Sequence, residues 1–290
     1  MDSRIIIYTS ITNGYDEIPN EHYYDPDIRY VCFTDGTIEH KEPWEFRDIP
    51  IKHDCPRRLS AYAKINPHKL FPVGSKVAWI DGCYVMTKKY CEEVKKYLSK
   101  YPFTIVRHYN KFTFYDEILE GFMGNMNTWD DQVAITKALA DTGYNFRKYD
   151  SPVLGTFFRV ITEDLFDFHD MWWEYSLIGP NRDQLSFDCA RQFHKLKYHV
   201  IEDGWLGEKS TIPGSLGILF GSKGKWYRKK IHPQAGDLEG LTIDEIIDKG
   251  FNLIKYLYQF TKLHPRMYTR YDQTDWIYTN VINPRLPKSI

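Results

Sequence analysis

The sequence predicts an α/β protein whose central sheet is mostly parallel. Short apolar runs, rich in β-branched and aromatic residues, alternate with amphipathic helical stretches along most of the chain. This alternation is typical of parallel strands joined by crossover helices. Two of the runs end in an Asp-Gly pair, at Asp35-Gly36 and at Asp81-Gly82. Because ligands of such sheets bind beyond the carboxyl ends of the strands, these two pairs indicate where a site should lie.

Seven strands are predicted from apolar or alternating runs that are bounded by turn-forming residues. They cover residues 4–10, 29–34, 44–49, 77–80, 103–107, 152–160 and 198–202. The run at 77–80 is apolar throughout, as expected of a strand that is covered on both faces. It ends in Asp81, which either opens a tight turn or presents a carboxylate to a ligand.

Helices are predicted at residues 57–66, 87–100, 114–122, 128–142, 163–175, 182–196 and 242–259. The first of them begins next to a proline, and a second proline should end it just before His68. Four residues share one face of this helix: Arg57, Ala61, Lys64 and His68. Such a basic face is either solvated surface or a binding site for an anion, and both interpretations stay open.

The composition excludes several classes of protein. An apolar content of 42% excludes a disordered chain, and a net charge of −1 gives no general attraction to nucleic acid or to anionic membranes. The five cysteines follow neither a metal-binding nor a pairing pattern, which favours reduced thiols in a cytosolic protein. No apolar run approaches the roughly 20 residues of a membrane span. We therefore expect a cytoplasmic protein without a membrane anchor.

Absent motifs narrow the chemistry further. The chain contains no Walker A sequence, which argues against a P-loop ATPase or kinase, and no G-x-G-x-x-G fingerprint after the first strand. A G-x-S-x-G elbow, an H-E-x-x-H pair and a Cys-x-x-Cys pair are also missing.

Four predicted strand-end loops carry polar side chains: residues 9–16, Asp35-Gly36, Asp81-Gly82 and Arg107-His108. With the basic helix, they supply the carboxylates and cations that suit a nucleotide diphosphate and a divalent cation. Mg²⁺ and Mn²⁺ bind one or two carboxylates and complete their shells with phosphate and water.

A second polar cluster occurs at residues 182–187, with the sequence Arg-Asp-Gln-Leu-Ser-Phe. Asp183 either caps a helix or lines a cleft as a base. In the second case, Gln184 would hydrogen-bond a sugar hydroxyl. Upstream, Trp172 either packs in the core or offers a stacking platform, with Glu174 as a neighbouring carboxylate.

Five ordered blocks within roughly residues 4–202 resemble the glycosyltransferase-like family first catalogued as domain of unknown function 616, which includes the plant TOD/MUCI-type proteins. The blocks are Tyr8-Thr9-Ser10-Ile11 with Asn13-Gly14-Tyr15-Asp16, Val31-Cys32-Phe33-Thr34-Asp35, Arg58…Lys64…Pro67-His68-Lys69, Trp79-Ile80-Asp81-Gly82, and Arg182-Asp183-Gln184-Leu185-Ser186-Phe187. The resemblance implies a GT-A-like fold, a Rossmann-type α/β/α sandwich. It also implies a nucleotide-sugar-binding catalytic domain at residues 1–205. From the change in composition after residue 203, we expect residues 206–290 to form a C-terminal extension, with a basic loop and a helix, packed on the same domain.

The resemblance also implies roles for individual residues. Donor binding would fall to Thr9, Asn13, Tyr15, Asp35, Arg58, Lys64, His68, Asp81 and Gly82. Asp81 would stand in the place of the metal-binding D-x-D motif, with Mn²⁺ or Mg²⁺ as the cation, although Cys83 occupies the position of the second aspartate. By the same resemblance, Asp183 and Gln184 would lie beside the transferred sugar. From the residues themselves, we expect Asp183 to be the catalytic carboxylate, with Glu174 or Glu117 as the next candidates. From the predicted strand-end loop and the second polar cluster, we expect acceptor or sugar contacts at Arg107, His108, Arg182, Gln184 and Trp172.

The implied activity is transfer of a hexose or pentose from a nucleotide-diphosphate sugar, first of all a UDP-sugar, to a hydroxyl group. The acceptor would be a glycan or a 5-hydroxymethylated base in DNA. The basic cluster at residues 223–230 would suit the DNA, because its cations can meet phosphates and its aromatic residues can stack on bases. The alternative is a catalytically inactive protein that binds a nucleotide-sugar or a glycan.

Overall fold

The computed structural model describes residues 4–107, 113–124, 126–150, 152–180, 182–201, 218–220, 238 and 240–263. The strands are β1 (Ile5–Ile11), β2 (Ile28–Thr34), β3 (Trp44–Asp48), β4 (Lys76–Ile80), β5 (Tyr84–Met86), β6 (Phe103–Arg107), β7 (Pro152–Val160), β8 (His199–Ile201) and β9 (Ile218–Phe220). The helices are α1 (Pro56–Ile65), α2 (Lys88–Lys100), α3 (Phe114–Met123), α4 (Trp129–Asp141), α5 (Phe166–Ser176), α6 (Gln184–Phe193) and α7 (Ile243–Thr261).

The main sheet has seven strands in the order β3-β2-β1-β4-β7-β6-β8. Parallel pairing joins β3 to β2, β2 to β1, β1 to β4 and β6 to β8, whereas β7 runs antiparallel to both of its neighbours. The predicted α/β class with a mostly parallel sheet is therefore confirmed. In addition, β5 and β9 form a two-stranded antiparallel sheet that the sequence patterns did not predict.

Helices cover both faces of the main sheet. On one face, an apolar cluster joins Ile7 and Ile80 of the sheet to Tyr90 and Val94 of α2. On the other face, the rings of Tyr8 and Trp79 lie 5.2 Å apart, and Phe157 lies 5.9 Å from Trp172 of α5. Helix α1 packs against this second face. Alternate residues of each strand thus enter different layers, as the period of two in a strand requires.

Local sequence signals explain most of the helix boundaries. Helices α3, α4 and α7 each begin with a capping box, in which a threonine side chain and a carboxylate three residues later satisfy each other's backbone N–H groups. The pairs are Thr113 with Asp116, Thr128 with Asp131, and Thr242 with Glu245. Helix α6 begins at Gln184 and ends at Phe193, so it is shorter at both ends than the predicted 182–196.

The described residues divide into two compact units. The first contains residues 4–107, 152–173, 194–201 and 218–220, with the main sheet, and the second contains residues 113–124, 126–150, 174–180, 182–193, 238 and 240–263. Within the second unit, α7 packs against α3 and α4, and Tyr115 Oη lies 2.5 Å from Thr261 Oγ1. The predicted boundary at residues 205 and 206 stays a prediction. Among the described helices, none is long and apolar enough to cross a membrane.

Candidate functional site

Three strand-end loops meet at the carboxyl edge of the main sheet. Strands β2, β1 and β4 are adjacent and parallel, and their register pairs Ile11 with Thr34 and Tyr8 with Trp79. Gly82 lies so close to the end of β1 that a Cβ on it would be 2.9 Å from Ile11 Cγ1. The loops that begin after β1, β2 and β4 therefore lie side by side, as the Asp-Gly pairs in the sequence predicted.

The carboxylate of Asp35 connects the first two of these loops. Its Oδ2 accepts a hydrogen bond from the backbone N–H of Asn13 at 2.8 Å, and its Oδ1 accepts one from the N–H of Thr37 at 3.2 Å. Asn13 has a φ of 55°, a left-handed conformation that asparagine tolerates better than most residues. Tyr15, two residues further on, donates its N–H to the carbonyl of Thr12 at 3.1 Å. The predicted donor-binding loop is thus shaped by Asp35.

Asp81 lies at the end of β4 with its carboxylate turned toward a tryptophan and a lysine. Its Oδ1 accepts a hydrogen bond from Trp79 Nε1 at 2.7 Å, and Lys64 Nζ lies 3.7 Å from the same oxygen. The backbone N–H of Asp81 donates to Gly155 O at 2.8 Å, which ties the strand end to β7. The side chain of Lys64 is only 10% exposed, whereas that of Asp81 is 38% exposed.

Helix α1 brings Lys64 to this position because it runs antiparallel to β1. Three hydrogen bonds connect the helix to the strand: Thr12 Oγ1 to Pro56 O at 2.7 Å, Ser60 Oγ to Ser10 O at 3.0 Å, and Tyr8 Oη to Lys64 O at 3.4 Å. Four residues of helix rise about 6 Å, close to the length of two residues of strand, so the contacts stay in register. Arg58, in the first turn, lies at the helix end that faces the carboxyl edge of the sheet.

A buried arginine that the sequence analysis did not single out holds the last turn of α1. The guanidinium of Arg159, in β7, donates to Lys64 O and to Tyr8 Oη and is completely buried. Its Nη1 also lies 3.5 Å from Nδ1 of His169. Burial and the neighbouring Arg159 lower the pKa of His169 well below its usual value, so this imidazole is neutral at pH 7.

A narrow crevice adjoins Asp81 and Gly82 on the other face of the sheet. Thr9 and His22 line it together with Ile18, Trp44, Ile80 and Tyr84. The hydroxyl of Thr9 is buried and has no hydrogen-bond partner within the described part of the chain. Burial lowers the pKa of His22 to about 4, and its Nδ1 accepts a hydrogen bond from the N–H of Met86 at 3.0 Å. The crevice leaves no room for a water molecule, so the Thr9 hydroxyl is closed off by packing, and its predicted role in donor binding stays a prediction.

His68 does not join the strand-end loops, contrary to the prediction. Helix α1 ends at Ile65, so His68 lies in a separate 3₁₀ turn, and its side chain is 4% exposed. Its Nε2 is 3.2 Å from Asp170 Oδ1, and its ring stacks on that of His169 at 5.3 Å. The prediction placed His68 on the same helical face as Lys64, but the helix ends before His68.

Trp172 is placed in the core. Its residue exposure is 0%, and its ring packs against Phe157, Phe168 and His169. No face of the indole is open to a sugar, so the core interpretation replaces the stacking platform.

In the second unit, Arg182 is engaged in ion pairs. Its Nε lies 2.7 Å from Glu117 Oε1 and its Nη2 lies 3.6 Å from Glu120 Oε1. Burial alone would lower the pKa of this guanidinium, but the two carboxylates outweigh it and raise the pKa above its ordinary value. Glu117, which is also buried, therefore neutralises Arg182.

The two predicted catalytic carboxylates lie at helix ends. Asp183 directly precedes α6, and its carbonyl accepts the N–H of Phe187 at 2.9 Å, which is the position of an N-cap residue. Gln184 is the first residue of that helix, and Glu174 is exposed near the end of α5. Their roles in catalysis and sugar binding stay predictions.

Arg107 is the last residue of β6, opposite Pro152 of β7, so it lies on the same edge of the sheet as Asp81 but two strands away. His108 and the basic cluster at residues 223–230 lie outside the described residues.

The residues around Asp81 do not match a preformed divalent-metal site. Oδ1 of Asp81 already faces an indole N–H and an ammonium, both of which carry positive charge toward it. Within the described ranges, no group of three or more His, Cys, Asp or Glu side chains lies together so as to hold a metal ion. A metal at this oxygen would also meet the repulsion of Lys64.

No protein-family model and no curated protein matches the chain. Among solved structures, it is similar to mouse xyloside xylosyltransferase 1 in its apo form, with 9% identity and a TM-score of 0.40. The match covers 77% of this chain and 98% of that one. A similarity this distant transfers no residue role and no activity, and the resemblance to the family named above stays a prediction.

Proposed function

We propose that the protein transfers a sugar from a nucleotide-diphosphate sugar, with a UDP-sugar as the first candidate, to a hydroxyl acceptor. The observation that carries the proposal is the pairing of Asp81 with the nearly buried ammonium of Lys64 at the carboxyl edge of a mostly parallel sheet. Sheets of this kind bind their ligands at that edge. A cation that is shielded from water at that position attracts a phosphate group more strongly than a solvent-exposed cation does, because water screens its charge less.

In the reaction, the bond between the anomeric carbon of the sugar and the diphosphate oxygen breaks, and its electron pair leaves with the diphosphate. The acceptor oxygen forms the new bond to the anomeric carbon and loses its proton to a carboxylate. Lys64 and Arg58, both on α1, would stabilise the charge that develops on the departing diphosphate. Asp183 is the first choice for the base, and Glu174 is the second; the remaining candidate, Glu117, is paired with Arg182.

The nucleoside would bind beside the loops that Asp35 holds together. The N–H groups of Asn13 and Thr37 are fixed by its carboxylate, so the loop after β1 has a defined shape before a ligand arrives. Thr9 stays a predicted donor contact, because in this structure the crevice beside its hydroxyl has no room for a water molecule. The acceptor, a glycan or a hydroxymethylated base in DNA, is left to experiment.

The test is release of nucleoside diphosphate from a panel of UDP- and GDP-sugars, with and without an acceptor. We expect release from at least one donor, and its loss in Asp81→Asn, because the substitution removes the charge that holds Lys64. The matched control is Asp170→Asn, since Asp170 is an exposed aspartate of α5 that pairs with Lys69 and His68 of the 3₁₀ turn after α1. Absence of both binding and release across the panel would overturn the proposal.

A non-catalytic binding protein is the second candidate. It is favoured by the absence of a second aspartate after Asp81, where Cys83 stands instead. Tight binding of a nucleoside diphosphate, with no turnover of any donor in the presence of glycan and hydroxymethylated DNA acceptors, would support this alternative over the enzyme.

A further inference from the structure

We propose that the ammonium of Lys64 takes the place of a divalent cation, so that a nucleoside diphosphate binds to this protein without metal. The inference rests on the proposed function, because it names the charge that meets the phosphates of the donor. Its starting point is the distance of 3.7 Å between Lys64 Nζ and Asp81 Oδ1, at the carboxyl edge of the sheet.

The carboxylate is arranged to hold an ammonium. Trp79 Nε1 donates to Oδ1 of Asp81 at 2.7 Å and fixes the orientation of the carboxyl group, while Lys64 faces the same oxygen. A metal bound to this oxygen would lie about 2.0–2.2 Å from it and therefore within about 6 Å of the ammonium, which would repel it. Oδ1 of Asp81 is therefore directed at Lys64 rather than at a metal ion.

The backbone of Lys64 is also held in place, which limits where its ammonium can lie. The carbonyl of Lys64 accepts hydrogen bonds from the guanidinium of Arg159 and from Tyr8 Oη, which anchor the last turn of α1 to the sheet. The side chain then extends along the indole of Trp79, with Nζ 5.6 Å from the ring centre, within the range of a cation–π contact. Backbone, ring and carboxylate therefore all restrict where the charge can lie.

Such a fixed charge suits a diphosphate. The side chain of Lys64 is only 10% exposed, and its interaction with an incoming anion is screened less by water than that of a surface lysine. Because the ammonium is already positioned, little reorganisation is needed when the anion binds. Asp81, at 38% exposure, marks the side from which the ligand enters.

The experiment is calorimetric titration of UDP and GDP into the full chain, once in EDTA and once in Mn²⁺. We expect the same dissociation constant in both conditions. Lys64→Met should weaken binding of the diphosphate about tenfold, as expected for loss of one charge-assisted hydrogen bond, and should leave binding of uridine or guanosine unchanged. Lys64→Arg should keep most of the affinity. The matched control is Lys96→Met, because Lys96 pairs with Glu93 on the surface of α2.

Two results would overturn the inference in distinguishable ways. If the diphosphate binds only with Mn²⁺ and Lys64→Met has no effect, the metal-free site is wrong while the proposed function stands. If neither UDP nor GDP binds in either condition, the proposed function fails as well. Should Lys64→Met not fold, the EDTA titration of the unmodified protein and the Lys64→Arg variant still decide the matter.

Discussion

The glycine in the strand beside Asp81 offers a sharp test of how the carboxyl edge is packed. Gly155, in β7, accepts the N–H of Asp81 at 2.8 Å and lies directly against the ring of Tyr84. A Cβ at this position would be 2.6 Å from Tyr84 Cε2 and 2.9 Å from Cζ. These are rigid ring atoms of a side chain that is buried, so the ring has to move.

The expected cost of Gly155→Ala follows from two opposing terms. Overpacking of a core costs about 1–3 kcal/mol. Replacement of glycine by alanine lowers the conformational entropy of the unfolded chain, which stabilises the folded protein by about 0.4–1 kcal/mol. We therefore expect the free energy of unfolding to fall by about 1–2 kcal/mol, measured by urea denaturation followed through tryptophan fluorescence.

A double-mutant cycle with Tyr84→Ala isolates the contact. Removing the ring should cost about 1–2 kcal/mol less in the Gly155→Ala background, because the clash disappears with it. The control is Gly74→Ala, where φ is +87° and no atom lies within 4 Å of the new Cβ. That variant should lose stability through backbone strain without coupling to Tyr84. An unchanged stability of Gly155→Ala, or coupling equal to that of the control, would refute this packing.

Three further predictions concern single sites. Trp172→Ala should lower the free energy of unfolding by about 3–5 kcal/mol, because a fully buried indole is lost; a loss of UDP affinity without a loss of stability would instead restore its ligand-stacking role. Burial lowers the pKa of His22 to about 4, so between pH 6.5 and pH 4 the unfolded chain binds a proton at this residue whereas the folded protein does not. The free energy of unfolding should therefore fall as the pH drops from 6.5 to 4. His22→Gln should remove up to about 3 kcal/mol of that dependence in denaturation curves across this range, and an unchanged pH profile would contradict the buried, neutral ring. Asp35→Ala should cost about 1 kcal/mol in urea denaturation, because its hydrogen bonds to Asn13 and Thr37 are lost; equal stability would show that the two loops are held by other contacts.

Apolar strand runs and helical stretches made much of the fold predictable. The run at 77–80 is apolar because both faces of β4 are covered, and the helices predicted at 114–122, 128–142 and 242–259 begin within one residue of α3, α4 and α7. The antiparallel direction of β7 was not predictable, because the apolar pattern of a strand does not depend on the direction in which the strand runs. Strands β5 and β9, of three residues each, are too short for a period of two to be recognised.

The site was predictable only in part. The convergence of Asp35 and Asp81 follows from the rule that parallel strands present their carboxyl ends at one edge. The prediction for His68 failed because it extended the helical period of α1 past Ile65, where the helix ends. The contact of Arg159 with α1 could not be predicted, because one arginine in an apolar strand has the same sequence pattern as an arginine at the exposed end of a strand. Only the fold brings its guanidinium to the carbonyl oxygen of Lys64.

The most direct test of the central claim is a crystal structure of the protein with UDP, or with GDP if that binds more tightly, grown in the presence of EDTA. We expect the diphosphate to lie beyond the carboxyl ends of β1, β2 and β4, within hydrogen-bonding distance of Lys64 Nζ. A nucleotide bound at the opposite edge of the sheet, or at the carboxyl edge but out of reach of Lys64, would contradict it.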